Sequence, residues 1–503
     1  YFLNTESNLI FFQFFLPFEL IHDNKYYTKI LNMENSIKID IDSDICIGNN
    51  SVVDEEMQPL LQTLSLSNDQ INICATNDDD VWEDIEDSSD EDEDEDDEGS
   101  TDNYIDKNKG DFNYGDIING KYVLIKRLGS GTFSMVWLAY LLDGSKKQKY
   151  YAIKVHHQED YSTGMRESSF LMKMKSLKIT SVCLHEIINF IPLNSTVKTP
   201  SICFVFDVMT CSVADVIRML RYEDGLEEDI VLNIIKQIAI SLHELQTHNY
   251  MYTDVRPENM LIKSNNDQLA KFCELFDEFN YDVKWKSICE KMCIDNNFNL
   301  TKKKHKEKFN TMRRELSVAL IKDKCDALND IVDDIPRNVM IDATTKVYLS
   351  DFGSVEKYNK NMDDYELQSR NYRAPELLLC QKHNYKIDVW SLGCCACELL
   401  TTEYLIAPKS TKHFSIDYNH LFWIIELFGQ FPKQMATSSN AEENYFFKSG
   451  KFRLDNMQKD WNLKALFEHH ETIVSDKMMM LLESMLQVDP KCRASFKDVI
   501  DAV

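Results

Sequence analysis

Asp254 and Asn259 stand five residues apart in the run Tyr252-Thr253-Asp254-Val255-Arg256-Pro257-Glu258-Asn259. An aspartate in such a loop can accept the proton of a hydroxyl, and an asparagine five residues on can ligate a metal from the same loop. Arg256 lies between them in the same loop. Asp351-Phe352-Gly353 follows 92 residues after Asn259, with Asp351 as a second oxygen ligand for Mg²⁺ and Phe352 to pack beneath it. Upstream, Leu128 leads into Gly129-Ser130-Gly131-Thr132-Phe133-Ser134-Met135-Val136. Two glycines there let backbone N–H groups approach phosphate oxygens, and Val136 would lie against a base. Lys154, 18 residues after Val136, can hold two phosphates if a carboxylate fixes it, and Glu167 is the candidate 13 residues further on. A lone Gly-x-Gly turn or a lone lysine is usually just a turn or a surface charge. Together the residues could position and neutralise the oxygens of a phosphate-bearing ligand with Mg²⁺.

Positioning such residues requires particular elements. Lys121–Arg127 and Tyr150–Val155 are rich in β-formers and predict strands flanking the glycine loop. Glu167 shares a helical stretch with Phe170 and Leu171. Val231, Ile234, Ile235, Ile238, Leu242 and Leu245 recur at helical spacing, which predicts an amphipathic helix of about five turns with one buried stripe. That helix runs directly into the Tyr252–Asn259 loop. Strands first and helices later give an α+β chain, with a small β-rich lobe over residues 111–210 and a larger helical lobe over 211–503. No internal repeat is evident.

The chain has 503 residues and a net charge of −28, and the charge is unevenly placed. Residues 1–102 hold 28 of the 83 acidic residues and 3 of the 55 basic ones, so the remainder is nearly neutral. Between Asp78 and Glu98, 16 of 21 residues are acidic, a run that repels itself and predicts a disordered tail over residues 1–110. Ser88 and Ser89, just before Asp90–Glu98, are in a setting that acid-directed kinases favour. A solvating spacer without a partner is an equal reading. The apolar segment Leu9–Ile21 is short and broken by Gln13, Pro17 and Glu19, which argues against a spanning helix or a signal peptide and for a leader ahead of Met33. The 14 cysteines form no zinc pattern, which predicts reduced thiols in an intracellular protein, cytoplasmic or nuclear. A near-neutral ordered part gives no expectation of direct nucleic-acid or membrane binding, and the expected form is a monomer.

Ala374-Pro375-Glu376, Asp388-Val389-Trp390-Ser391 and Arg493 complete an ordered series that resembles the eukaryotic protein kinases. The resemblance implies a bilobal kinase fold over residues 111–503. It also implies that Glu376 pairs with Arg493 and that Asp388 supports the catalytic-loop backbone. Finer details are similar to the SR-protein kinases of the CMGC group. Gly115–Tyr122 runs into the glycine loop, whose third glycine is Ser134, and Thr253-Asp254 stands where most kinases have Arg-Asp. Gln368-Ser369-Arg370-Asn371-Tyr372-Arg373 precedes Ala374, and a long segment splits the domain before Asp351. That family phosphorylates serines in Arg/Ser-rich protein segments, which makes such a segment the implied partner. A Clk/DYRK-like kinase of other specificity and a catalytically weak pseudokinase scaffold stay open as alternatives.

The departures from the family pattern are local. Tyr252 stands for a histidine and Arg256 for a lysine, whose point charge a planar guanidinium does not reproduce. Thr253 removes the arginine that usually receives activation-loop phosphate, while Asp363, Asp364 and Glu366 add fixed negative charge. An activation segment ordered without phosphate on Tyr365 or Ser369 is the expectation. Glu426 matches one acid of the family's docking groove, and Asn419 replaces a second. The insert, about residues 263–343, contains helically spaced Phe272, Leu275, Phe276 and Phe279, and again Leu316, Ala319 and Leu320. Its basic run Lys302–Lys308 reads as a solvated linker between two helices, or else as an import signal or partner site. The resemblance implies that the insert governs localisation and is not needed for the fold of the lobes, although a docked helical piece is compatible with its composition.

Overall fold

A computed structural model describes residues 112–142, 148–177, 179, 183–190, 200–219, 225–263, 268–331, 339, 341–359, 366–410, 414–438, 445–453 and 461–503. The acidic tail, Ser88, Ser89, Asp363, Asp364 and Tyr365 lie outside the described residues.

Alternating apolar residues build the first lobe. Strands β1 (Ile117–Ile118), β2 (Tyr122–Ser130), β3 (Ser134–Leu141), β4 (Tyr150–His156), β5 (Leu184–Phe190) and β6 (Ser201–Phe206) form one antiparallel sheet, with helix α1 (Tyr161–Ser176) between β4 and β5. The strand order is β1-β2-β3-β4-β6-β5. Successive side chains of a strand point to opposite faces. Tyr122, Leu124, Met135, Trp137, Tyr151 and Ile153 gather on one face, covered by Phe112 and Phe190. The opposite face has two coverings. Phe170, Leu171 and Met174 of α1 pack with Ile202 and Phe204, whereas Val123, Ile125, Leu138 and Tyr140 pack against the insert. Buried on both faces, β2 is apolar through its first four residues and does not alternate with polar ones.

The second lobe begins with β7 (Cys211–Ser212), α2 (Val213–Met219) and α3 (Glu228–Thr247). All six residues of the predicted apolar stripe on α3 are buried. Then come β8 (Tyr250–Met251), a tight turn at Pro257–Asn259, and β9 (Met260–Lys263). The insert supplies α4 (Gln268–Glu278), α5 (Tyr281–Asp295) and α6 (Lys303–Ile331), after which β10 (Lys346–Leu349) and β11 (Glu356–Lys357) return to the lobe. Helices α7 (Pro375–Leu378), α8 (Lys386–Thr401), α9 (Ile416–Phe428), α10 (Lys433–Thr437), α11 (Leu463–His469), α12 (Asp476–Met485) and α13 (Phe496–Ala502) complete it. Their core centres on α8, whose apolar residues are buried on every side.

Two short ladders close the long sequence gap. In the first, β9 pairs antiparallel with β10, Met260 opposite Leu349 and Lys263 opposite Lys346, and Ser350 N donates to Asn259 O at 2.9 Å. In the second, β8 pairs with β11, Met251 opposite Glu356. The segments around Asp254 and Asp351 are thus joined on both sides, and the insert leaves from one end of the β9–β10 pair.

The docked helical piece that the insert's composition allowed is present, and its place corrects the expectation of a segment belonging to the second lobe. It is a docked part of the first lobe: Phe272, Phe276, Tyr281, Trp285, Ile321, Cys325 and Leu328 share one core with β1, β2 and β3. Apolar strand faces left without cover drive that burial. The basic run is also no linker, because Lys303–Lys308 form the exposed first turns of α6.

Candidate active site

A cleft of about 1040 Å³ lies beneath the sheet. Leu128, Gly129, Ser130, Gly131, Ser134 and Val136 line its roof, and Lys154, Glu167, Asn259 and Asp351 line its inner end. Three residues of the glycine loop do not line it. Met135 is buried on the opposite face of β3, since strand neighbours alternate. Thr132 and Phe133 sit at the exposed tip of the loop, Phe133 being 52% accessible.

Strand β4 delivers Lys154 and helix α1 delivers Glu167. The Lys154 ammonium donates to Glu167 Oε1 at 3.0 Å and Oε2 at 2.9 Å, and to Asp351 Oδ1 at 2.8 Å. Burial pulls the Lys154 ammonium down, but the Glu167 and Asp351 charges outweigh it and hold its pKa above the usual lysine value. Burial likewise pushes the Asp351 carboxyl up, while Lys154 and the Gly353 N–H more than offset this and hold it below the usual carboxylate range. Asp351 is therefore ionised, with its side chain half exposed to the cleft. It occupies a left-handed conformation with φ +50°.

Both oxygens of Asp254 are engaged. Ser369 Oγ donates to Oδ1 at 2.6 Å and Asn259 Nδ2 to Oδ2 at 2.7 Å. Arg256 Nε lies 3.3 Å from the same Oδ2. With its amide nitrogen turned to Asp254, Asn259 has its carboxamide oxygen as the end left to meet a cation. A carboxylate with one carboxamide oxygen fits Mg²⁺ when substrate phosphates complete its shell. Among the described residues there is no group of three or more His, Cys, Asp or Glu that could hold a metal on protein ligands alone.

The supporting residues fall where the sequence resemblance implied. Asp388 accepts the Tyr252 and Thr253 N–H groups, each at 2.8 Å, and Arg493 forks onto Glu376 at 2.7 and 2.8 Å in full burial.

Residues 122–278 and 332–503 match the protein kinase domain family. The chain belongs to the protein kinase family. The Serine/threonine-protein kinase SRPK of Physarum polycephalum is 27% identical over 396 residues, covering 77% of this kinase and 86% of that one. Protein kinase dsk1 of Schizosaccharomyces pombe is 24% identical, covering 78% and 83%. SRSF protein kinase 3 of Homo sapiens is 31% identical over 158 residues, 31% of this kinase and 28% of its own length. A solved kinase-domain structure shares the fold with a TM-score of 0.51 at 20% identity, over 77% of this chain and 96% of that chain. The kinase is an SR-protein-kinase-like serine/threonine kinase of the CMGC group.

Sequence reasoning missed several site residues. Ala152 and Leu261 also line the cleft, and Leu269 reaches it from the insert. The small residue two before Lys154 was the available signal for Ala152; nothing in the sequence signalled Leu269. Ser369, expected only as an unphosphorylated residue of the activation segment, has its hydroxyl on Asp254. The two docking positions named from the resemblance both lie inside the fold. Glu426 is buried, and Asn419 is buried with its Oδ1 accepting the Lys409 N–H at 3.0 Å. Asp417, at the start of α9, pairs with Arg370. Among the described residues no helix is long and apolar enough to cross a membrane.

Proposed function

We propose that the cleft binds ATP with Mg²⁺ and passes the γ-phosphoryl group to serine or threonine hydroxyls in Arg/Ser-rich protein segments. Lys154, held by Glu167, orients the phosphates under the glycine loop. Asn259 and Asp351 would hold Mg²⁺, which supplies neutralisation of phosphate charge when bound. Asp254 accepts the substrate hydroxyl's proton, and Arg256 contributes positive charge beside the transferred group.

The observation that carries the reading is the Asp254 carboxylate, fixed on both oxygens by Ser369 and Asn259 while Lys154 is drawn between Glu167 and Asp351. Reacting groups preset in this way need little reorganisation in the transition state. The preference for Arg/Ser-rich segments is supported by similarity to kinases named for such substrates.

The test is phosphate transfer from labelled ATP with Mg²⁺ to an Arg/Ser-repeat peptide and to an arginine-free serine peptide. Asp254→Asn is expected to lower kcat by at least about a hundredfold, the scale of a general-base contribution. Preference for the repeat peptide is the expected result. Equal transfer to both peptides would sink the substrate assignment and leave the kinase reading intact.

A further inference from the structure

Glu167 is wholly buried, and a carboxylate in that setting needs charged or polar donors. Lys154 donates to both of its oxygens, yet the same ammonium is bound to Asp351 and must also serve the phosphates. A second donor stands two residues further along β4. His156 Nε2 lies 2.8 Å from Glu167 Oε2, with the imidazole buried. A carboxylate only accepts, so the nitrogen facing it carries the proton.

The surroundings are shaped to this ring. Phe204 meets it edge to face at 5.5 Å and 87°. On its other side α1 carries Gly164, where a Cβ would come within 3.1 Å of His156 Cγ and 3.2 Å of Ile202 Cδ1. Glycine inside a helix is unfavourable relative to alanine. The close approach of the imidazole gives this glycine a physical reason.

We infer that His156 is a positioning residue, a second anchor for Glu167 that holds α1 in place while Lys154 is shared with the nucleotide phosphates. It touches neither nucleotide nor substrate and acts through Glu167. The inference rests on reading Lys154 as the phosphate-binding lysine.

His156→Phe keeps a ring against Phe204 and removes the donor. Its KM for ATP is expected to rise about tenfold, as the loss of one charge-assisted hydrogen bond implies, with kcat changed by less than about threefold. His156→Gln, which restores an N–H donor, should recover most of that rise, whereas a residue that only fills space would not be rescued. Gly164→Ala, which pushes the imidazole off Glu167, should raise KM in the same way, and it decides the matter if His156→Phe does not fold by circular dichroism. Lys154→Met is the control. If it leaves transfer intact, the reading of the site itself fails. If it abolishes transfer while His156→Phe or Gly164→Ala leaves KM for ATP within about twofold, the second-anchor role is overturned.

Discussion

Two residues that break the usual kinase motif make related contacts. The Tyr252 hydroxyl donates to Ser350 O, and Thr253 Oγ1 donates to Ser354 O at 2.5 Å. These carbonyls flank Asp351-Phe352-Gly353 on either side, so the catalytic loop grips that segment at both ends. Tyr252 also meets Phe352 edge to face at 6.0 Å. Thr253 is β-branched and left-handed, φ +66°, a conformation that costs on the order of 1–3 kcal/mol unless its surroundings fix it. The Asp388 carboxylate on its N–H and the bond to Ser354 O do so. Tyr252→Phe keeps the ring contact and removes one side of the grip. Stability should fall by about 1 kcal/mol, the net worth of one hydrogen bond, and the Mg²⁺ concentration for half-maximal activity should rise as Asp351 loses its support. Unchanged Mg²⁺ dependence with lowered stability would reduce Tyr252 to a packing residue.

At the scale of elements, helix α8 carries a buried carboxyl near each end. Burial pushes Asp388 up to about 7 despite the N–H groups of Tyr252 and Thr253, and pushes Glu398 up to about 7 despite the Tyr372 hydroxyl bond at 2.7 Å. A carboxyl whose folded pKa is raised binds more protons when folded than when unfolded, between its ordinary value near 4 and about 7. Its contribution to stability is therefore full below that window, falls as pH rises through it, and is flat above. His420 and His470, lowered by burial, act with the opposite sign up to their ordinary value of 6.5. The informative quantity is thus a difference. The melting temperature of the kinase minus that of Glu398→Gln should decline from pH 5 to pH 7.5, and a difference that is constant or grows over that range would reject the assignment. Elements also divide by how readable they were. The stripe on α3 declared itself because one apolar face meets one core, and a 3.6-residue period is what such burial leaves in a sequence. Asp254, Asn259 and Asp351 were legible because phosphoryl transfer demands those atom types in that order. Helix α6 was read only in part, since its sparse apolar positions recur too weakly to separate its charged start from a linker. His156 was invisible, because a buried histidine acquires meaning only when the fold sets it against Glu167 and Gly164.

The whole molecule depends on where the insert goes. The strand faces of Ile117, Val123, Ile125, Leu138 and Tyr140 are apolar, and α4, α5 and α6 cover them. The attachment is polar as well. The Tyr150 hydroxyl donates to Cys273 O and to Asp277 Oδ1, both at 2.9 Å, and the Lys126 ammonium sits 5.4 Å from the centre of the Phe272 ring. At Gly115, φ +86°, a Cβ would lie 2.5 Å from Ser317 O, so the backbone of α6 comes right up to the segment entering β1. A piece needed only for cellular address would not require so close a fit. Lys263 and Lys346 are opposite partners on β9 and β10, so the ends left when a short Gly-Ser linker replaces residues 268–331 lead back to one strand pair. Such a variant exposes the strand faces and loses the burial of Phe272, Phe276, Tyr281 and Trp285, a net loss on the order of 5 kcal/mol after allowing for residual burial in the unfolded chain. The expected results are a melting temperature lower by about 10 °C, binding of a hydrophobic dye and a higher KM for ATP, since Leu269 no longer lines the cleft. An unchanged melting temperature without dye binding would return the insert to the role its family resemblance implied, and the strand faces would then need another cover.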